Sequence, residues 1–337
     1  MSENTKNQSK TKKGLLFLHA LTSLHPGSGT ALGAVDLPVQ RERHTMWPVI
    51  PGSSLKGVIR DACRPETKDK ESDEYQKWLS VFGPEAGEGG SDHAGAISMT
   101  DARILAFPVR SLKGVFAWVT CPSVLRRFKR DLKLAEKEID WIITEIKPAS
   151  DNEEKSVAAF SKNSPLRLDN QDVIILEEYE FWRHDTIKTE DISESISNFA
   201  ITDKETRESF KKHFVILPDD DFTYFTKNAT EVHTRIMLNY ETKTVKGTNL
   251  FSEESLPAET LFYSVVFAEK SRFVPKEEKE EEKEEKSVPL TPTQVMKHIY
   301  DNTPEYIQIG GDATIGKGFC SVKKSLGVDK KNNKKEE

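Results

Sequence analysis

Cysteine is scarce in this 337-residue sequence. Cys63, Cys121 and Cys320 lie far apart, and no two of them form a CxxC pair. Zinc sites and the disulfide frameworks of secreted proteins need closely spaced or numerous cysteines. Both are therefore excluded in their usual forms, and the cysteine usage predicts a reducing compartment, the cytoplasm.

Long apolar runs are missing as well. Residues 14–24 follow four lysines, as the apolar part of a signal peptide would. However, His19, Thr22 and Ser23 interrupt this run, and no small-residue cleavage pattern comes after it. A membrane-spanning helix needs about 20 predominantly apolar residues. We therefore expect neither a secretory leader nor a membrane among the partners of this protein.

A positive net charge, which is common in nucleic-acid-binding proteins, is also absent, because the formal net charge is −6. The charges are nevertheless segregated along the chain. Residues 1–60 hold eight Lys or Arg against three acids, residues 103–130 hold seven and no acid, and residues 276–286 hold seven Glu against four Lys. A local cationic excess is typical of an RNA-binding surface. It is also common on ordinary solvated surfaces, so the charge distribution alone does not establish RNA binding.

The apolar pattern predicts a mixed α+β fold. Strands are expected at 14–24, 96–106, 110–120 and 261–268, helices at 53–64, 123–147 and 292–302, and hairpins at 222–260 and 307–322. Strands and helices alternate irregularly and are separated by long insertions. This favours a ferredoxin-like or RRM-like β-α-β core that carries inserted subdomains.

The predicted domain organisation is one domain over residues 14–325. Inside it we expect a helical insertion at about 123–214, a protruding hairpin at about 222–260 and a mobile charged loop at 276–286. Residues 1–13 and 326–337 are polar and are predicted to be disordered. Three consecutive aspartates at 219–221 are predicted to form a solvated turn rather than a metal site.

The helix predicted at 53–64 has one apolar face and a separate cationic stripe of Lys56, Arg60 and Arg64. Ser53 or Ser54 can cap its first turn. Unpaired amide groups at a helix N-terminus favour phosphate. A solvated basic face is the ordinary explanation of such a stripe.

A glycine-rich loop at 25–33 precedes Asp36, Arg41 and Arg43. One carboxylate beside phosphate-binding cations can position a divalent metal ion or assist attack at a phosphodiester. His25 can act as an acid or a base, since the usual pKa of histidine is near neutrality. On the residues alone, a turn-capping aspartate and a hydrogen-bonded loop histidine are the commoner cases.

A second glycine-rich loop lies at 310–318. It is not a phosphate-binding Walker loop, because Gly318 stands where that motif has Ser or Thr. It can still allow close approach of the backbone to an RNA phosphate, and it can equally be a simple hairpin turn.

Four motifs, in this order along the chain, resemble those of one known family: HPGSGTALGAVDLPVQRERH, IPGSSLKGVIRDACR, GAISMTDARILAFPVRSLKGVFAWVTCP and IGGDATIGKGF. The family is that of the backbone subunits of type III-B CRISPR effector complexes, the Cmr complexes, in the RAMP superfamily. The resemblance implies a modified RRM-like core with a thumb-like hairpin. It also implies copies that stack along a CRISPR guide RNA beside other Cmr subunits and cut complementary target RNA at regular intervals.

The resemblance also implies roles for individual residues. The sequence GAVD at 33–36 matches the context of the family's catalytic acid, which assigns that role to Asp36, with a divalent ion such as Mg²⁺ or Mn²⁺ as cofactor. His25 lies beside this site in the family, and Glu253 or Glu254 matches an assisting acid near the thumb. The RNA contacts implied are Arg41, Arg43, Ser53, Ser54, Lys56, Arg60, Gly316 and Lys317.

The chemistry expected is attack by the RNA's own 2′-hydroxyl, which leaves 5′-hydroxyl and 2′,3′-cyclic phosphate ends. Two alternatives stay open at this point. In the first, the protein is a non-catalytic RNA scaffold and Asp36 is an ordinary loop residue. In the second, it is a ribonuclease that processes the CRISPR precursor RNA, with His25 rather than Asp36 essential.

Overall fold

The computed structural model describes residues 11–67, 69–84, 93–147, 156–169, 171–185, 187–272 and 288–326. Its helices in these residues are α1 (Gly52–Ala62), α2 (Asp73–Phe82), α3 (Pro122–Leu134), α4 (Thr189–Ala200), α5 (Lys204–His213), α6 (Asp219–Asn228) and α7 (Pro292–Asn302). The strands are β1 (Lys12–Ala20), β2 (Val49–Ile50), β3 (Ile97–Met99), β4 (Ala102–Arg110), β5 (Phe116–Thr120), β6 (Val157–Phe160), β7 (Val173–Leu176), β8 (Tyr179–Arg183), β9 (Phe214–Ile216), β10 (Glu231–Leu238), β11 (Val245–Ser255), β12 (Leu261–Ala268), β13 (Tyr306–Gln308) and β14 (Phe319–Leu326). No helix in these ranges combines the length and the apolar character needed to cross a bilayer.

A twelve-stranded sheet forms the centre of the molecule, in the order β13-β14-β1-β12-β4-β5-β9-β6-β8-β7, with β2 beside β4 and β3 beside β12. Strand β1 pairs antiparallel with β12 on one side and β14 on the other. Its side chains from Leu15 to Leu18 are fully buried, as expected of a strand that is covered on both faces. The architecture is therefore α+β, built on a buried first strand, as predicted.

Strand β1 starts earlier than predicted. Lys12 and Lys13, which were assigned to a disordered terminus, pair with Ala268 and Phe267 of β12. Backbone hydrogen bonds to a neighbouring strand outweigh the polar character of the two lysines. Residues 1–10 and 327–337 and the charged loop 276–286 lie outside the described residues.

The segment 123–214 is not the helical insertion that was predicted. Helix α3 ends at Leu134, and β6, β7 and β8 follow before α4 and α5 begin. The short apolar runs of these strands extend the large sheet beyond β9. The apolar run at 173–176 predicts β7, whereas the many charges of this region concealed β6 and β8 in the sequence.

The protruding hairpin is shorter than predicted, because β10 and β11 cover residues 231–255 only and form a sheet of their own. Residues 222–228 belong to α6, in which Phe222 and Phe225 are buried. Asp219, Asp220 and Asp221 form the first turn of this helix rather than a solvated turn. Acidic side chains are favourable there because they face the positive end of the helix dipole.

Helix α1 begins one residue before the predicted start, at Gly52. Neither Ser53 nor Ser54 caps it through a side chain. The Gly52 amide instead donates a hydrogen bond of 2.8 Å to Asp101 Oδ1. A β-carbon on Gly52 would lie 2.6 Å from the carbonyl oxygen of Met99, so this close approach to the sheet requires glycine.

We expect Gly52→Ala to lower the free energy of unfolding by about 1–3 kcal/mol, because the added methyl group overlaps backbone that cannot move freely. The matched control lies on the same helix. A β-carbon on Gly57 meets no atom within 4 Å. Gly57→Ala should therefore stabilise the protein by about 0.5–1 kcal/mol. Denaturant unfolding of both variants measures the difference, and equal stabilities would contradict this account.

Candidate functional site

The loop that follows β1 folds back on itself and then attaches to the protruding hairpin. The Gln40 amide donates to the Pro26 carbonyl at 2.7 Å, and the Ser28 amide donates to the Pro38 carbonyl at 3.0 Å. Beyond this pairing, the Leu37 amide donates to the Ser252 carbonyl of β11 at 3.0 Å. The loop tip is exposed between these contacts. Asp36 lies at the end of the tip, next to β11.

Asp36 is an exposed carboxylate fixed by a single partner residue. Its Oδ2 atom accepts hydrogen bonds from the Ser252 amide at 2.8 Å and from the Ser252 hydroxyl at 2.9 Å. The backbone hydrogen bond, followed by the hydroxyl one, holds the pKa of Asp36 below its ordinary value of 3.8. Within the described ranges Asp36 forms no ion pair, so it presents a full negative charge to solvent.

His25 is buried and joins three segments of the chain. Its Nδ1 atom lies 2.5 Å from the Glu254 carbonyl oxygen, which can only accept, so Nδ1 carries the proton. The ring lies against Gly27 and Gly311, where β-carbons would come within 2.7 Å and 3.3 Å of ring atoms. The His25 carbonyl accepts a hydrogen bond from the Gly311 amide at 3.0 Å. This geometry gives His25 a packing role, and its catalytic role stays a prediction.

Glu253 and Glu254 are both buried, with 3% and 6% of their surface exposed. Glu253 Oε1 lies 3.2 Å from Arg235 Nη2 and 3.1 Å from Lys317 Nζ. Glu254 Oε1 lies 2.5 Å from Arg41 Nη2, and its Oε2 accepts from the Val39 amide at 2.9 Å. Each carboxylate is therefore occupied by internal partners, which is not what an acid that faces substrate would show.

Arg41 and Arg43, both predicted to contact RNA, have opposite environments. Besides pairing with Glu254, Arg41 Nη1 donates to the carbonyls of Met46 and Thr226 at 2.9 and 3.0 Å. Arg41 is therefore held by internal partners, and its contact with RNA stays a prediction. Arg43 is exposed and, in the part of the chain described, forms no ion pair. Both arginines line a cavity of about 390 Å³ beside α1, together with Gln40, Glu42, His44, Val49, Pro51, Asp101 and Arg103.

The cationic stripe of α1 is not a free basic face. Lys56 Nζ donates to the Ile97 carbonyl at 3.1 Å, and burial, followed by the neighbouring charge of Arg60, lowers the pKa of Lys56. The Arg60 guanidinium lies 4.6 Å from the centre of the Trp78 ring, and it donates to the Pro84 carbonyl at 3.2 Å. These two cations pack α1 against its neighbours, whereas Ser53 and Ser54 are exposed at the first turn.

The glycine-rich loop near the C-terminus has one open position and one anchored position. Gly316 is exposed, has a φ of +85° and faces open space. Lys317, whose contact with RNA stays a prediction, donates to Glu253 and to Ser255 Oγ at 2.9 Å, and its side chain is only 12% exposed. The lysine therefore holds the loop against β11, and the contact available to a ligand is the backbone around Gly316.

Sequence reasoning missed three residues that position these groups: Ser252, Arg235 and Asp312. Ser252 is 216 residues from Asp36, and Arg235 is 77 residues from Asp312, to which its Nη1 donates at 2.8 Å. Asp312 lies inside the IGGDATIGKGF motif, which is the one signal that pointed to it. Nothing in the hairpin sequence distinguishes Ser252 or Arg235 from its polar neighbours.

The described residues offer few ligands for a metal ion. In the described ranges, no group of three His, Cys, Asp or Glu side chains is arranged to hold one. Asp36 offers one carboxylate oxygen beyond the one that Ser252 occupies. Mg²⁺ is commonly bound by one or two carboxylates together with water and substrate phosphates. The residues present therefore fit an ion that is shared with RNA, and not one that the protein holds alone.

Comparison with known proteins gives a consistent result. Residues 17–321 match the model of the RAMP superfamily. The CRISPR system Cmr endoribonuclease Cmr4 of Pyrococcus furiosus is 40% identical over 316 residues, which are 92% of this chain and 95% of that protein.

Solved structures share the fold. A crystal structure of oligomeric Cmr4 from Pyrococcus furiosus matches with a TM-score of 0.65 and 33% identity, covering 95% of this chain and all of that one. A chain in a cryo-EM structure of the type III-B Cmr-beta bound to cognate target RNA has the same fold, with a TM-score of 0.64, 22% identity and coverage of 94% and 98%. The chain therefore belongs to the RAMP superfamily and, within it, to the family of Cmr4 proteins.

Proposed function

We propose that this protein is the RNA-binding backbone subunit of a type III-B CRISPR effector complex and that it cleaves target RNA there as an endoribonuclease. Copies of it would stack along the guide RNA beside other Cmr subunits. The observation that carries the proposal is Asp36, an ionised and exposed carboxylate fixed by Ser252 at the foot of a protruding hairpin. The curated relative at 40% identity is named as an endoribonuclease, and the related crystal structure is of an oligomer.

The RNA-facing surface consists of groups that the fold leaves unoccupied. Arg43 supplies an exposed cation, and the backbone around Gly316 allows close approach of a phosphate. The amides of Ser53 and Ser54 belong to the first helical turn, where no intrahelical acceptor exists. None of these groups reads a base, so sequence recognition would come from pairing between guide and target.

The hairpin has the surface expected of an element that separates stacked bases. Ile236, Tyr240 and Leu250 are 49%, 86% and 61% exposed, although all three are large and hydrophobic. Ile236 and Leu250 face each other across β10 and β11. Apolar side chains that enter between bases unstack them and bend the backbone. A displaced nucleotide would allow its 2′-hydroxyl to line up with the adjacent phosphorus.

Asp36 would then assist the cleavage itself. Because its pKa is lowered, Asp36 is ionised and can accept the proton of the attacking 2′-hydroxyl, but it is poorly suited to donate one. Water would protonate the departing 5′-oxygen, leaving 5′-hydroxyl and 2′,3′-cyclic phosphate ends. We also propose a Mg²⁺ or Mn²⁺ ion between Asp36 and the RNA, which would stabilise negative charge on the phosphoryl oxygens.

A non-catalytic scaffold is the second candidate function. It is favoured by the internal engagement of His25, Glu253 and Lys317, which leaves Asp36 as the exposed member of the three predicted catalytic residues Asp36, His25 and Glu253. Processing of precursor RNA by His25 has less support, because the imidazole is buried between two glycines. We place the complex in the cytoplasm, since the three cysteines are free thiols.

We expect Asp36→Asn to reduce cleavage of a labelled complementary RNA by about 100-fold or more, the usual loss when a proton acceptor is removed, while RNA binding is retained. Asp191→Asn, which changes an exposed aspartate on α4, is the control and should cut normally. Adding EDTA to the wild-type complex should stop cutting, and Mg²⁺ or Mn²⁺ should restore it. Unchanged cutting by Asp36→Asn would assign the nuclease to another subunit and leave this chain as a scaffold.

The pH dependence of Asp36 provides a separate test. Its hydrogen bonds to Ser252 favour the charged form, so the carboxylate stays ionised until the pH falls below 3.8. Ser252→Ala removes the hydroxyl donor and should raise the pKa of Asp36 towards its ordinary value. Carboxyl-carbon NMR titration of both proteins measures the two midpoints. A wild-type midpoint above that of Ser252→Ala would contradict this description.

Arg41 and Arg43 form a matched pair for separating structure from RNA binding. Arg41→Ala leaves the buried carboxylate of Glu254 without its cationic partner and should cost about 3–5 kcal/mol of stability. Arg43→Ala should leave the melting temperature unchanged, weaken RNA binding and reduce the slope of log K against log[salt] by about 1. Thermal unfolding and RNA titrations at several salt concentrations measure both effects. A stable Arg41→Ala protein with weakened RNA binding would contradict the structural role and support Arg41 as an RNA contact.

A further inference from the structure

Four charged side chains meet where the protruding hairpin contacts the second glycine-rich loop. Arg235 lies on β10, Glu253 lies on β11, and Asp312 and Lys317 lie in the loop. We call these four residues the hairpin joint. Arg235 contacts both Asp312 and Glu253, and Lys317 contacts the same carboxylate oxygen of Glu253.

The contact between Arg235 and Asp312 fixes how the hairpin is oriented relative to the loop. Arg235 binds Asp312 through two parallel hydrogen bonds, one from each terminal nitrogen, and its Nη2 also reaches Glu253 at 3.2 Å. Such a forked contact fixes orientation as well as distance. Burial alone would raise the pKa of Asp312, but the hydrogen bonds from Arg235 and the positive charges of Arg235 and Lys317 outweigh it and lower that pKa. The carboxylate is therefore charged at neutral pH.

Burying these charges is unfavourable, so we infer that the hairpin joint serves to fix an orientation and not to stabilise the fold. Glu253 and Lys317 have side chains only 4% and 12% exposed, so both charges have lost most of their water. Pairs of this kind contribute little net stability compared with apolar residues of similar size. Asp312 also adopts a left-handed backbone with a φ of +65°, which is uncommon for a residue other than glycine.

The hairpin joint is connected to Asp36 through one strand. Ser252, which holds the Asp36 carboxylate, immediately precedes Glu253 on β11. The hairpin forms a sheet of its own, so its orientation is not set by pairing with the large sheet. Gly316, whose backbone is open to a ligand, immediately precedes Lys317. A displacement of the loop would therefore move β11, and with it Asp36.

We propose that the hairpin joint positions Asp36 along the target RNA by fixing the orientation of the hairpin relative to the loop at 310–318. In this assignment Glu253 is a positioning residue, which acts through Arg235 and Lys317 and does not touch the substrate. The inference rests on the proposed function, because it assumes that the loop contacts the guide and that Asp36 serves the cut. It predicts that loosening the joint changes where, and how fast, the RNA is cut.

The first measurement needs no cleavage. Spin labels on Thr242→Cys at the hairpin tip and Asp61→Cys on α1 report the distance between hairpin and core, since the three native cysteines are buried. Glu253→Gln and Asp312→Asn remove one charge each, and asparagine tolerates the left-handed backbone of residue 312. We expect a single narrow distance in the wild type and a broadened one in both variants.

The matched control is an exposed side-chain contact on the same hairpin. Glu231 and His233 lie 3.3 Å apart but are 39% and 51% exposed, so their interaction contributes little. Glu231→Gln should therefore keep the wild-type distance and the wild-type cutting. Lys317→Arg, which retains the cation beside Glu253, should keep the wild-type cutting positions better than Lys317→Ala does.

The second measurement maps the cut positions in the reconstituted complex. We expect Glu253→Gln and Asp312→Asn to cut about tenfold more slowly or worse, since small misplacements of a catalytic group are costly, and to spread the cuts over neighbouring phosphodiesters. Binding of guide RNA should remain intact, which separates this effect from unfolding.

Each outcome decides a different statement. If the distance between the spin labels is unchanged in Glu253→Gln and Asp312→Asn while the wild-type complex cuts, the hairpin joint does not fix the orientation of the hairpin, and the proposed function stands. Broadened distances with unchanged cut positions and rate would overturn its role in positioning Asp36. A wild-type complex that does not cut would overturn the proposed function, and the role in cutting would be overturned with it.

Discussion

The alternation of side chains along one strand, β11, is the constraint on which the rest of the site depends. Successive residues of a strand face opposite sides. Ser252 and Glu254 therefore contact the loop after β1, through Asp36 and Arg41, while Glu253 faces the glycine-rich loop and Lys317. Two loops from opposite ends of the chain are thus fixed to one strand. A shift of one residue in the register of β11 would exchange the two sets of partners.

Buried charge determines the geometry of this region more than apolar packing does. The exposed apolar residues of the hairpin give it little core of its own, and its base is held by the pairs Arg41–Glu254 and Lys317–Glu253. Ion pairs in such environments stabilise a fold only modestly, but removing one partner is costly. The arrangement therefore tolerates few intermediate orientations, which suits an element that must sit at a fixed place on an RNA backbone.

Local patterns in the sequence predicted local structure well. The bounds of β12 and α7 are those expected, because the strand is a continuous apolar run and the helix carries a capping box at Thr291. A candidate acid at Asp36, after the glycine-rich loop, was also predicted. The occupied states of Arg41, Lys56 and Lys317 were not, since a cation that packs inside the fold looks the same in a sequence as one that faces solvent. Their partners lie far along the chain or belong to its backbone.

The contact of His25 with Gly27 and Gly311 has a consequence for how this surface can change in evolution. The imidazole fills the space that side chains at the two glycines would need. A larger residue at position 27 becomes acceptable only after position 25 has become smaller, and that change in turn removes the hydrogen bond to the Glu254 carbonyl. The order in which these positions mutate therefore matters, and most single steps lead through a weakened intermediate. Across relatives, the residues at positions 25, 27 and 311 should therefore change together, whereas the exposed tip of the loop that follows position 27 should vary more freely.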